Sequence, residues 1–290
     1  MAVYKRRYDP YRGRLTERWR RWSVLTRFAL RELFASRFFL GFFLACWIPV
    51  LAFSGYVFVA NSEVVRSLLS LASRTLQLRV EASFFIRATQ IQGFFAFLLA
   101  TWAGPALVAG DLTNGALPLF LSRPFRRGEY VFGKFAVLGI LLSSITWIPA
   151  LGLFFLEAGL SPEPWLGAHR WLLAPIVWSS LVWVVLLGMV ALAASAWVRW
   201  RIVAMGAIFG LFLIPAGLGA VLNATLGTKW GQLLDLTYLF HEVVNAGFRE
   251  SASFGPAVPL WAAWGTLALV SAAALELVLK RLRAFDVVRG

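Results

Sequence analysis

Charged residues are scarce in this chain. They make up 14 per cent of its 290 residues while 60 per cent are apolar, against about a quarter charged and half apolar in soluble domains. That balance excludes an ordinary soluble protein and points to one membrane domain with little room for a separate globular one. Cysteine is rarer still. Cys46 is the sole example and sits inside an apolar run, which excludes an internal disulfide and a cysteine metal cluster. Histidine occurs twice, as His169 and His241, far apart and without zinc-ligand spacing. No metal site is expected, and no Ser/His/Asp grouping suggests catalytic residues. Also missing is the Gly-x-x-x-x-Gly-Lys-Ser/Thr loop whose backbone amides cradle nucleotide phosphates, so the chain is not expected to hydrolyse ATP by itself.

What is present is a series of long runs with almost no charge. Six of them, near 38–60, 89–110, 132–156, 171–198, 202–222 and 257–279, each reach the roughly 20 residues a helix needs to cross a bilayer. The fold class expected is all-α and polytopic. A basic segment, 1–37, precedes a six-helix membrane domain, 38–290. With the N-terminus inside, the inner segments 1–37, 111–134, 199–201 and the stretch from Lys280 hold eleven, four, two and four Lys/Arg, 21 of the 28 in the chain. This is the bias that the positive-inside rule requires. Both termini are therefore expected in the cytoplasm. The net charge of +14 faces anionic lipid, and nucleic acid need not be invoked.

No charge falls at mid-membrane depth in the six runs. That absence weighs against a proton- or sodium-coupled carrier. Glu157 and Glu276 lie at span ends and read as snorkelling or loop residues. Ahead of the first span, Trp22, Leu25, Ala29 and Leu33 recur at helical spacing with Arg20, Arg27 and Arg31 largely on other faces. This predicts an amphipathic helix in the interface over 19–37, with Trp19 and Trp22 at headgroup level. Residues 63–87 show a second amphipathic pattern, and 223–256 read as short outer or partly re-entrant helices. The chain has fourteen tryptophans, and most fall near span ends, as in an aromatic belt. Trp178 and Trp183 are candidates for facing an apolar cavity.

The stretch that sets the functional reading is Asp111–Lys134, DLTNGALPLFLSRPFRRGEYVFGK. Turn signals at Asn114-Gly115 and Arg123-Pro124 bracket a short apolar patch containing Leu117, Leu119, Phe120 and Leu121. An apolar patch with basic flanks, held at a bilayer surface by two spans, suits docking into a soluble partner. The stretch resembles the loop between the second and third spans of type-2 ABC transporter permeases. The matching residues are Asp111, Asn114-Gly115, Ser122-Arg123-Pro124, Arg127, Glu129-Tyr130 and Gly133-Lys134. Leu30-Arg31-Glu32-Leu33 with Ser36-Arg37-Phe38 is similar to that family's lead into its first span. Two residues depart from the pattern: Ala116 stands where Thr is usual, and Pro118 interrupts the leucine turn.

The resemblance implies a permease of the cytoplasmic (inner) membrane, working as an exporter. It would pair with a second copy or a related permease and be driven by separate cytoplasmic ABC ATPase subunits that carry the ATP and magnesium. The interface it implies comprises Asp111, Asn114, Gly115, Leu119, Leu121, Arg123, Pro124, Arg127 and Glu129. No cofactor is expected in this chain. The alternative from a different class is a membrane scaffold that anchors partners and moves nothing. A membrane-embedded enzyme using His241 or Glu242 is the third.

Overall fold

The computed structural model describes residues 21–65, 67, 79–113, 127–161, 164–198, 200–250 and 258–283. Every regular element among them is helical. Six stretches among the described residues are long and apolar enough to cross a membrane: Arg37–Asn61, Ala82–Val108, Gly128–Leu160, Trp165–Trp197, Arg201–Leu226 and Leu260–Leu282. They are called spans one to six below. They alternate in direction, so the starts of spans one and three and the ends of spans two and six lie at one end, the loop end, of the bundle. The opposite end is the far end.

Helix α1, Arg21–Ala35, lies ahead of span one, where the amphipathic pattern predicts a helix. Leu25, Thr26 and Ala29 are buried, while Arg27, Arg31, Val24 and Phe28 are exposed. A stripe of small and apolar residues thus packs on the bundle, and the arginines face away from it. Span one consists of α2, Arg37–Ala45, and α3, Ile48–Asn61. The Ser36 side chain caps α2 by accepting from the Phe39 amide. Span two is one long helix, α4, Ala82–Thr113. Span three is again divided, into α5, Arg127–Ile145, and α6, Trp147–Leu160. Span four joins the short helix α7, Trp165–His169, through a 3-10 turn to α8, Leu173–Trp197. Span five is α9, Arg201–Leu226, and span six is α11, Leu260–Arg283.

Several helices outrun the apolar runs that announced them. Span two starts at Ala82 rather than near 89 and takes in Arg87, which stays exposed. Residues 82–87 of the amphipathic stretch 63–87 thus continue span two, while 68–78 lie outside the described residues. Between spans five and six the chain makes short helices, as expected. A 3-10 turn, Trp230–Leu234, is followed by α10, Leu236–Gly247. Gly227 ends α9 with a φ of 61°, a left-handed cap that glycine adopts without steric cost. Asp235 then caps α10 by accepting from the Thr237 and Tyr238 amides. Leu239, Phe240, Val243 and Val244 are buried, so α10 packs into the bundle.

The core is centred on spans two, three and four. Among the described residues, spans two and four make the most extensive helix contact. A side-chain carbon built on Gly104 would lie 2.5 Å from the Ala191 Cβ, so only glycine permits this approach. Small residues at a crossing let backbones close in, which is how helices associate where lipid is as apolar as the side chains.

Candidate functional site

The loop singled out by the sequence is framed by the end of α4 and the start of α5. Asp111, near the end of α4, accepts a hydrogen bond from the Tyr130 hydroxyl at 2.7 Å. The same carboxylate oxygen pairs with the Lys134 ammonium at 2.8 Å. Tyr130 and Lys134 are four residues apart on α5, hence on one face, and both are almost wholly buried. The Lys134 nitrogen also sits 5.7 Å from the Tyr130 ring centre. Two helix ends that diverge into the loop are thereby tied by a charge-assisted cluster. Breaking a buried ion pair by removing one partner costs about 3–5 kcal/mol, because the other charge is left uncompensated.

Helix α1 braces this clamp from the side. The Thr26 hydroxyl lies 2.9 Å from the Gly133 carbonyl oxygen and 3.0 Å from the Trp22 carbonyl oxygen, so its single proton is shared between them. Trp22 stands edge-on to Phe132 with ring centres 4.9 Å apart. A carbon added to Gly133 would come within 3.1 Å of Leu25 and 3.2 Å of the Trp22 carbonyl oxygen. The Gly-Lys pair of the motif therefore has two structural tasks. Gly133 lets α1 approach, and Lys134 binds Asp111.

The predicted interface residues separate into three groups. Asp111 is engaged within the chain. Glu129 lies in the first turn of α5, where a negative side chain complements the helix dipole, and Arg127 opens that helix. Asn114, Gly115, Leu119, Leu121, Arg123 and Pro124 lie outside the described residues, as does Trp19. Of the predicted interfacial residues, Trp22 is half-buried against span three, and Arg27 and Arg31 are exposed.

A second feature lies between spans two, four and five and helix α10. A half-open cleft of about 470 Å³ is lined by Phe94, Phe97, Trp183, Phe212 and Phe240 among others, with Gln90, Thr237 and His241 as its polar groups. Trp183 stacks on Phe240 with ring centres 4.2 Å apart and donates from its indole nitrogen to the Gly93 carbonyl at 2.9 Å. The expectation of a cavity-facing tryptophan thus fits Trp183. Trp178 instead packs against Trp264 at 5.3 Å. Burial lowers the pKa of His241, and the negative charge of Asp235 opposes this in part. His241 therefore presents a neutral imidazole to the cleft at neutral pH. Among the described residues no group of three or more His, Cys, Asp or Glu is placed to hold a metal ion.

Six membrane-crossing helices, with a clamp at the base of spans two and three, give a frame for comparison with known families. The chain matches the model of the family described as ABC-2 family transporter protein over residues 28–275. It belongs to that family. No curated protein matches it. This ABC-2 chain is accordingly the multi-pass membrane subunit of an ABC transporter and not its ATPase, and family membership implies an ABC ATPase subunit as partner. The match covers most of the chain, from within α1 to within span six.

The structure also corrects the expectation for Glu157. Glu157 is neither a loop residue nor a snorkelling one. It lies in the last turns of α6, is 5 per cent exposed, and accepts from the Asn61 side-chain amide at 2.7 Å. An apolar-run reading misses this because the partner lies 96 residues away.

Sequence reasoning also missed Gln92, a nearly buried amide in the middle of span two. Its nitrogen donates to the Ile145 carbonyl at 2.5 Å and, more weakly, to the Cys46 carbonyl at 3.4 Å. The signal that would have found it is a repeated triplet, Trp47-Ile48-Pro49 and Trp147-Ile148-Pro149. Each copy marks the break in its span.

Proposed function

We propose that the chain is the permease half of an exporter in the cytoplasmic (inner) membrane, with both termini in the cytoplasm. A separate ABC ATPase docks on the loop between spans two and three and carries the ATP and magnesium. The observation that carries this reading is the Asp111–Tyr130–Lys134 cluster. The ion pair joins spans two and three at the mouth of the loop, 2.8 Å from nitrogen to oxygen. A push on the loop then reaches both spans together as a rigid-body shift, the form of movement that packed helices transmit best. The concentration of basic residues on the loop side supports the cytoplasmic placement.

The cleft supports pairing with a second permease. It is half-open, with Ile91, Phe94 and Leu213 exposed at its rim. A sealed path across the membrane then needs a second copy, or a related chain, opposite it. The aromatic lining and neutral imidazole suit an apolar or flat cargo with few charges.

The test is co-purification with the ATPase encoded beside this chain, followed by ATP turnover in nanodiscs. Arg127→Ala with Glu129→Ala is expected to weaken association several-fold. Asp111→Asn is expected to preserve association and reduce the turnover that the permease confers on the ATPase. Failure of the wild-type pair to associate, or turnover unmoved by any of these changes, would favour the membrane-scaffold alternative.

A further inference from the structure

Spans one and three both run from the loop end to the far end, and both break part-way at a Trp-Ile-Pro triplet. In span one, α2 stops at Ala45 and α3 resumes at Ile48. In span three, α5 stops at Ile145 and α6 resumes at Trp147. Proline has no amide hydrogen, so the carbonyl four residues earlier loses its helical donor. Pro149 frees the carbonyl of Ile145 in this way, and Pro49 frees that of Ala45 next to Cys46. The Thr146 hydroxyl adds to the bend by donating back to the Leu142 carbonyl at 2.8 Å.

Gln92 of span two lies between the two breaks. Its NH2 group carries two donors. One makes the 2.5 Å bond to the carbonyl released by Pro149, and the other reaches Cys46 at 3.4 Å. The far halves, α3 and α6, pack directly on each other. Asn61 in the last turn of α3 donates to Glu157 in α6 at 2.7 Å. The two far halves are therefore joined to each other near their tips, and both are pinned to one amide at their base. The loop-end halves α2 and α5 are arranged differently, each packing on α1.

We infer that α3 and α6 form a single lever, hinged at the paired Trp-Ile-Pro breaks, with Gln92 as the pin and a positioning residue. A helix bends most easily where its own ladder is interrupted. Here two parallel helices are interrupted together, and one side chain takes over a lost bond. The carbonyl oxygen of Gln92 and the hydroxyl of Thr89, one turn away on α4, are buried without a hydrogen-bond partner among the described residues. The pin thus has an unfilled acceptor to use when the lever tilts. In transport the lever would open and close the far end of the pathway while the loop end follows the ATPase. That use rests on the function proposed above, whereas the linkage itself does not.

The linkage is testable in the full-length chain in nanodiscs, with Cys46→Ala removing the native thiol. Spin labels are placed at exposed far-half positions, Phe58→Cys on α3 or Phe155→Cys on α6, each paired with Trp261→Cys on span six as reference. Pro149→Ala returns a donor to the Ile145 carbonyl and straightens span three alone. With Gln92 and Asn61 intact, both label distances are expected to shift in the same sense. In the Gln92→Leu, Asn61→Leu double variant, Pro149→Ala should shift only the Phe155 distance. A Phe155 shift without a Phe58 shift in the intact background, or no shift in either, would overturn the lever. Joint movement in the double variant would overturn Gln92 as the pin of that lever. If Pro149→Ala is not monodisperse, Pro49→Ala gives the reciprocal test from span one. No ATPase is needed, so failure here leaves the transport reading standing, and absence of an ATPase partner leaves the lever standing.

Discussion

Spans two and four hide 61 per cent of their most apolar window inside the chain, whereas spans one and five hide 17 and 22 per cent. Their mean hydropathies do not follow that order. Span two is the least apolar of the four at 1.6, and span one reaches 2.1. Hydropathy therefore says which segments enter the membrane and not which of them form the core. The central spans differ in the small residues and hydrogen-bonding groups at their contacts, such as Gly104 against Ala191 and Ser195 donating to the Pro105 carbonyl at 3.3 Å. The outer spans present Leu51, Phe58, Ile202, Leu213 and Leu226 outward. Lipid or a second chain covers such faces equally well.

The contrast can be broken most directly at Lys134, which is buried on span three. Lys134→Ala leaves the Asp111 carboxylate without its cation and is expected to destabilise the chain by about 3–5 kcal/mol, read as a lowered thermal midpoint in nanodiscs. The paired replacement Lys134→Met with Asp111→Leu should recover much of that loss, because no lone charge remains. An unchanged midpoint for Lys134→Ala would show that the clamp does not hold the helix ends. Next in size is Gly104→Leu. Overpacking at the Ala191 contact should cost about 1–3 kcal/mol. Gly217→Leu is the control on span five, where nothing lies within 4 Å of the added carbon. It should be neutral or slightly stabilising, since glycine is a poor helix former. Equal losses at both positions would erase the distinction between core and peripheral spans.

A smaller effect is expected at the border between the two regions. The folded-state pKa of His241 lies below the ordinary value of 6.5, so on acidification the unfolded chain takes up this proton first. Its contribution to stability is complete above about pH 6.5 and is lost as pH falls from there towards the lower folded value. His241→Phe should remove that part of the acid sensitivity, measured as the slope of thermal midpoint against pH between 7 and 5. A slope unchanged by the substitution would mean the imidazole is not desolvated in the cleft. Smallest of all, Arg27→Ala with Arg31→Ala on the exposed face of α1 should leave the midpoint within roughly 0.5 kcal/mol of wild type. Those two arginines should instead contribute about 1 kcal/mol each to attraction for anionic lipid, measurable as weaker binding of an α1 peptide to phosphatidylserine vesicles.

Much of the architecture was legible because crossing a bilayer imposes a length and a composition on each segment. The N-terminal helix was legible too, through Leu25, Ala29 and Leu33 at helical spacing, although its stripe packs on span three. The 111–134 stretch stood out by its charge and turn residues. What could not be read was the partner of each polar side chain. Asp111 and Lys134 were visible as motif residues, yet their contact with each other closes a loop of more than twenty residues. Glu157 looked like an end residue because Asn61 is remote in sequence. Gln92 was passed over because a neutral amide carries no charge to flag it, although the repeated Trp-Ile-Pro triplets on either side were in plain view.

The sequence by itself determined that the chain builds six helices long and apolar enough to cross a membrane. It did so because water, lipid and the membrane interface select residues by their chemistry one segment at a time. Only the tertiary structure decided which spans are central, which carbonyl Gln92 occupies and which carboxylate Lys134 meets. Inside a bilayer, lipid and protein are equally apolar, so the choice of neighbour falls to close packing and a few polar contacts between residues that the chain keeps far apart.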